Sequence, residues 1–145
     1  MISQKAQYAL RALIALAKAE PEVALSIAEI AEEQRIPKKF LEQILLDLKH
    51  QGIVMSRRGK AGGYRLLRTP DRIAFGEVLR LVDGPLAPLP CLSRIAYRRC
   101  DSCIDEETCE IRKVFARVAE ATREVLDTVT IADAIENPEL VTSAA

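Results

Sequence analysis

Apolar positions near the start of the chain recur at helical spacing. Tyr8, Leu10, Leu13, Ile14 and Ala17 fall on one stripe, and Ser3 stands where an N-cap is wanted. The spacing predicts a first helix from Ser3 to about Lys18, ended by Glu20-Pro21-Glu22. Ser26-Ile27-Ala28-Glu29 is a capping-box sequence: the serine hydroxyl accepts from the third helical amide while the glutamate reaches back. A short helix with Ile27, Ile30 and Ala31 inward should follow, closing near Gln34. Pro37 opens a third helix to Gln51, because a proline in the first turn loses no helical hydrogen bond. Its inner stripe is Phe40 or Leu41, then Ile44, Leu45 and Leu48, and Gly52 suits a left-handed cap. Two short helices joined by Arg35-Ile36-Pro37 make a helix-turn-helix.

Ile53–Arg58 and Tyr64–Leu67 then read as two strands around Gly59-Lys60-Ala61-Gly62-Gly63, a turn rich in residues that accept positive φ. A hairpin directly after a helix-turn-helix is a wing. A phosphate-cradling loop would need a helix after the glycines, and a strand follows here. Thr69-Pro70-Asp71 breaks the chain before a helix over 75–82, which Asp83-Gly84-Pro85 stops; Leu86–Pro90 is extended. From Glu110 to about Val129, Ile111, Phe115, Val118, Thr122, Val125 and Val129 step at heptad spacing. Such a stripe packs on its own domain or on a second copy, and the small core offered by the short helices leaves room for the second. The predicted fold class is mainly α: a winged helix-turn-helix with a two-stranded wing and a long C-terminal dimerisation helix. The division follows as residues 1–84 (winged helix-turn-helix domain), 85–109 (cysteine-rich loop) and 110–145 (dimerisation helix and acidic tail).

Charge sharpens this picture. The 145 residues balance at 21 basic and 21 acidic, yet residues 35–72 hold ten bases against three acids and residues 101–145 hold four against eleven. A basic segment in a neutral chain suits local contact with a polyanion, and an acidic end cannot be that surface. The longest aliphatic run, Ala12–Ala17, is six residues, far below the ~20 that a membrane helix needs. Met1-Ile2-Ser3-Gln4-Lys5 leads straight into the amphipathic pattern without an export signal, so a cytoplasmic protein with no membrane partner is expected. The single histidine, His50, lies in the basic segment and is expected at the surface; no Ser–His–Asp set exists, and no enzyme is expected.

All four cysteines fall within Cys91–Cys109, spaced Cys91-x8-Cys100-x2-Cys103-x5-Cys109. Core cysteines would scatter, and a reduced compartment argues against a structural disulfide framework. Thiolates at C-x-x-C spacing converge on a metal or cluster, and Arg98 and Arg99 alongside favour the thiolate. A four-thiolate zinc site and a thiol switch that closes disulfides on oxidation stay open beside an iron–sulfur cluster. Cys100-x-x-Cys103 lacks the βαβ context of a thiol oxidoreductase.

Tyr8-Ala9-Leu10-Arg11-Ala12-Leu13, Ile30-Ala31-Glu32, Phe40-Leu41-Glu42-Gln43-Ile44-Leu45 and Arg57-Arg58-Gly59-Lys60-Ala61-Gly62-Gly63-Tyr64-Arg65-Leu66 together resemble the Rrf-two family of bacterial winged-helix transcription regulators (IscR/NsrR-like). The resemblance implies a homodimer whose long helices cross at the interface, and an iron–sulfur cluster, [2Fe-2S] or [4Fe-4S], in the loop before them. Members often ligate with three cysteines and a non-cysteine fourth ligand; here there are four cysteines. The position matching a carboxylate ligand near the start of the partner's first helix is Gln7, which argues for an all-cysteine site of Cys91, Cys100, Cys103 and Cys109 within one subunit.

For a regulator of this kind the partner is double-stranded DNA with a palindromic operator, since dimer symmetry is mirrored in the site. Lys38, Lys39, Arg57 and Lys60 suit phosphates. Glu42 can accept from cytosine N4, Gln43 can pair with adenine, and Arg58 at the wing tip can enter a narrow minor groove. Gly59, Gly62, Gly63 and Tyr64 complete the wing part of the expected DNA-binding set. The cysteine loop is expected to set the spacing of the two reading heads in a repressor; a cluster-free thiol-redox or partner-protein-controlled regulator is the alternative.

Overall fold

The computed structural model describes residues 2–137 and 139–142. Its elements are helices α1 (Gln4–Lys18), α2 (Ile27–Gln34) and α3 (Lys38–His50), strands β1 (Val54–Arg57) and β2 (Gly63–Leu66), then α4 (Phe75–Asp83), α5 (Glu110–Leu126), α6 (Ile131–Glu136) and α7 (Glu139–Thr142). Short 3-10 turns at Pro70–Arg72 and Pro90–Leu92 punctuate the connections.

Helix α1 is the hub. Ser3 Oγ accepts from the Ala6 amide at 3.0 Å and starts it, and Lys18 in the last turn complements its dipole. Ala6, Ala9, Ala12 and Ala15 are buried with Leu10, Leu13 and Leu16, so α2, α3, α4 and α6 can all approach its backbone closely. The start of α1 is also tied to the end of α4, where the Ser3 amide and hydroxyl both donate to the Asp83 carboxylate. Those bonds hold the Asp83 carboxyl below its ordinary range.

The Ser26 capping box forms as the sequence implies: the Glu29 amide donates to Ser26 Oγ at 3.1 Å and the Ser26 amide to Glu29 Oε2 at 2.7 Å. Arg35, at φ 53°, turns the chain left-handed between α2 and α3. In α3 the buried stripe is Leu41, Ile44, Leu45 and Leu48. Of the two alternatives for its first position, Leu41 is buried, whereas Phe40 is 58% exposed and lies over the Tyr8 ring at 6.4 Å. Gly52 follows at φ 72°, and the chain passes directly into β1.

The hairpin is antiparallel, in register from Val54↔Leu66 to Arg57↔Gly63. Leu25 adds a bridge on the outer edge of β2, its amide donating to Tyr64 O at 2.9 Å and the Tyr64 amide donating to Leu25 O at 2.7 Å.

Helix α5 runs about 25 Å at ordinary helical rise and stops three residues short of the expected Val129. The Val129 carbonyl accepts from Phe75, Thr130 bridges Ala74, and the Ile131 amide donates to Ile73 O at 2.9 Å. The chain therefore returns to the winged domain. Ile131 is fully buried in the main core and α6 packs on α1, where an acidic tail was expected. Thr130 and Asp133 form a second capping box that nucleates α6. Among the described residues no helix is long and apolar enough to cross a membrane.

Candidate nucleic-acid interface and cysteine pocket

Because Leu41, Ile44, Leu45 and Leu48 face inward, helical geometry turns Lys38, Lys39, Glu42, Gln43, Leu46, Lys49 and His50 outward, and all are exposed. His50 thus lies at the surface, as expected. Lys49 and His50 also sit in the last turn, where a cation is favourable. No described residue hydrogen-bonds the Glu42 carboxylate. Gln43 Nε2 instead donates to Asp47 Oδ1 at 2.9 Å, and Asp47 Oδ2 meets Lys5 Nζ at 3.2 Å.

In the wing, Arg57, Arg58, Gly59 and Lys60 are exposed, while Gly62, Gly63 and Tyr64 are half-buried. Tyr64 packs on the core and exchanges backbone bonds with Leu25, so it supports the wing from beneath. Gly63 has φ 145°, and a Cβ there would collide with the Leu25 carbonyl; no other residue fits where the wing passes Leu25. Arg65 and Arg68 are not free for phosphates, since Arg65 pairs with Glu22 and Arg68 with Glu77 at 2.7 Å. The open cations of the basic segment are thus concentrated on α3 and the wing tip.

The cysteine loop is ordered by its own contacts. Cys91 is buried in the 3-10 turn, and the Arg98 amide closes back on Pro90 O at 3.2 Å. Cys100 and Cys103 share a turn in which the Cys103 amide donates to Cys100 O at 3.0 Å. Cys109 caps α5, its Sγ accepting from the Arg112 amide at 3.4 Å. Asp105 accepts from Thr108 Oγ1 at 2.9 Å, and Tyr97 donates to Glu106 at 2.5 Å. That bond to a carboxylate pushes the Tyr97 hydroxyl above its usual range. The loop is joined to α5 through Arg123, whose Nη2 donates to Leu92 O at 2.9 Å.

All four cysteines line one cavity of about 520 Å³, with Leu89, Ile104 and Ile111 among its walls. Cys91 and Cys100 bring their sulfurs to 4.0 Å from each other. Burial and the Cys91 thiol push Cys100 above the ordinary range, opposite to the effect expected from Arg98 and Arg99. Arg99 turns its guanidinium to the Cys103 and Ile104 carbonyls, donating to the second at 3.1 Å. Among the described residues no three His, Cys, Asp or Glu side chains surround a common point in this conformation. The donor chemistry fits an iron–sulfur group nonetheless, since four thiols open into one partly apolar cavity.

Comparison with known proteins agrees with this architecture. Residues 2–137 match the Rrf2 family, described as iron-dependent transcriptional regulators. An rrf2-like HTH-type transcriptional regulator of Rhodobacter capsulatus is 51% identical over 136 residues, covering 92% of this chain and 91% of its own. The structure of CymR, the global cysteine regulator of B. subtilis, superposes with a TM-score of 0.76 at 32% identity, covering 92% of this chain and 94% of that one. T. potens IscR superposes with a TM-score of 0.74 at 29% identity, covering 97% and 90%. The winged fold, the exposed basic helix and these relatives agree: the chain belongs to the Rrf2 family, and it is a DNA-binding transcription regulator rather than an enzyme.

Proposed function

We propose that the protein is a cytoplasmic, homodimeric repressor that binds a palindromic operator under the control of an iron–sulfur group on Cys91, Cys100, Cys103 and Cys109. The observation that carries this reading is that all four cysteines line one cavity at the foot of α5. Residues 1–84 read DNA, 85–109 sense, and 110–145 pair the two copies, with α6 lending its packing to the reading head. A bound iron–sulfur group would supply a tie between the thiols that is sensitive to iron and to oxidation. The chain's own contribution is the connection onward. Cys109 caps α5, and Arg123 holds the Cys91 turn against the same helix, so a change in the loop bears on the helix that pairs the copies. Operator binding by loaded and metal-free protein should therefore differ, and equal affinities would overturn the control mechanism while leaving DNA binding intact.

DNA contacts divide by chemistry. Glu42→Ala is expected to relax preference at one base pair by about 1–3 kcal/mol. Lys39→Ala should weaken all sequences alike and flatten the salt dependence by about one phosphate contact. A binding panel across operator variants and salt concentrations separates the two, and equal, sequence-independent losses would contradict the assignment.

One observation favours a second reading, a thiol switch. Cys91 and Cys100 have sulfurs 4.0 Å apart, so the two thiols already face each other. A hydroperoxide would take two electrons and two protons from this pair; its O–O bond breaks, giving water and an alcohol, as the S–S bond forms. Oxidation of metal-free protein is expected to link Cys91 to Cys100 before any other pair, as read by mass spectrometry of alkylated digests. A Cys103–Cys109 bond appearing first would contradict this.

A further inference from the structure

Two neighbouring residues of α3 stand in different states. Glu42 is exposed with no hydrogen-bond partner among the described residues, whereas Gln43 is held by Asp47 one turn on, which is itself held by Lys5 from α1. A carboxylate can only accept, so the side of the Gln43 amide facing Asp47 must be the NH2 group. That fixes which way the amide points. One N–H is committed to Asp47 Oδ1 at 2.9 Å, and the second N–H and Oε1 remain. A donor beside an acceptor is the pattern that the N7 and N6 edge of adenine requires in the major groove. Lys5, 3.2 Å from the other carboxylate oxygen, immobilises Asp47 and offsets a negative charge that would otherwise face phosphates.

We propose that Asp47, anchored by Lys5, is a positioning residue that presets Gln43 for adenine and so determines specificity without touching a base. This deepens the reading of Gln43 as a base contact and rests on it. Preorganisation of this kind acts on discrimination, because a long, rotamer-rich side chain no longer has to be ordered when DNA binds. It also predicts opposite effects on two quantities. Removing the Asp47 carboxylate lowers preference for the correct base, yet raises affinity for arbitrary DNA because an acid leaves the interface.

The test uses the full-length protein and an operator selected from random duplexes by the native protein. Gln43→Ala identifies the base pair whose preference it flattens. At that pair Asp47→Ala should lower discrimination about fivefold or more while non-specific binding tightens. Asp47→Asn, whose carbonyl can still accept from Gln43, should retain most of it, and Lys5→Ala should fall between. Adding Asp47→Ala to Gln43→Ala should flatten that pair no further. Melting curves for each variant establish that α3 stays folded. If Gln43→Ala flattens a base pair and both Asp47→Ala and Lys5→Ala leave it sharp, Asp47 does not position Gln43, though the base contact stands. If Gln43→Ala flattens none, the base contact fails and the positioning role falls with it.

Discussion

Val118→Asp is expected to convert the protein to a monomer and to lower operator affinity on the order of a hundredfold. Ile111, Val114, Phe115, Val118 and Val125 are 40–62% exposed along α5, with Val118 near the middle of the stripe. Only Ala119 of this helix is buried against its own chain. A contiguous apolar face of this length, at heptad spacing, fits a partner helix of the same sequence. Burying an unpaired carboxylate at its centre opposes association, and two-fold symmetry places the charge in the interface twice. A monomer keeps one reading head and loses the second half-site. Analytical ultracentrifugation with operator titration decides the matter; a dimer of unchanged affinity would mean that another surface joins the copies.

Gly63→Val should leave the dimer intact, abolish specific binding, and lower stability by about 2–4 kcal/mol. The residue sits at φ 145°, where a β-branched side chain is strained, and its Cβ would meet the Leu25 carbonyl. That carbonyl is the acceptor of the 2.7 Å bond from Tyr64, so the clash breaks the contact that fastens the wing to the domain. Helix α3 keeps its buried stripe and α5 its apolar face, so the damage should stay local. Denaturant melts and sedimentation test both halves of this result. A stability change below about 0.5 kcal/mol would show that the wing carries no constraint at Gly63.

Much of this was legible in the residues because local signals and tertiary structure agree. Ser3, the Ser26–Glu29 box, Pro37 and Gly52 each mark a helix end through backbone chemistry that acts over three or four residues. The wing was legible from its glycines, and Gly63 shows why one of them is needed. Helix α6 was hidden, although Thr130-Ile131-Ala132-Asp133 carries the same kind of signal as Ser26-Ile27-Ala28-Glu29, because the acidic surroundings read as a solvated tail. Phe40 and Leu41 are adjacent apolar residues, and which one turns inward is set by packing on α1, beyond the reach of periodicity. The effect of Arg99 depends on where its guanidinium points, which proximity in sequence does not fix. The i,i+4 relation of Gln43 and Asp47 is readable from the chain, but the anchoring of Asp47 by Lys5 joins residues 42 apart and needed the fold.

The reading of the cysteine pocket as an iron–sulfur site is tested most directly by the metal content of protein purified without oxygen: iron, acid-labile sulfide and zinc per subunit. Four thiols on one cavity lead to the expected result of iron and sulfide in matched, stoichiometric amounts, lost together when Cys100 is replaced by serine. Zinc alone, or neither metal with all four thiols titratable, would contradict it and leave a DNA-binding regulator whose loop senses by another chemistry.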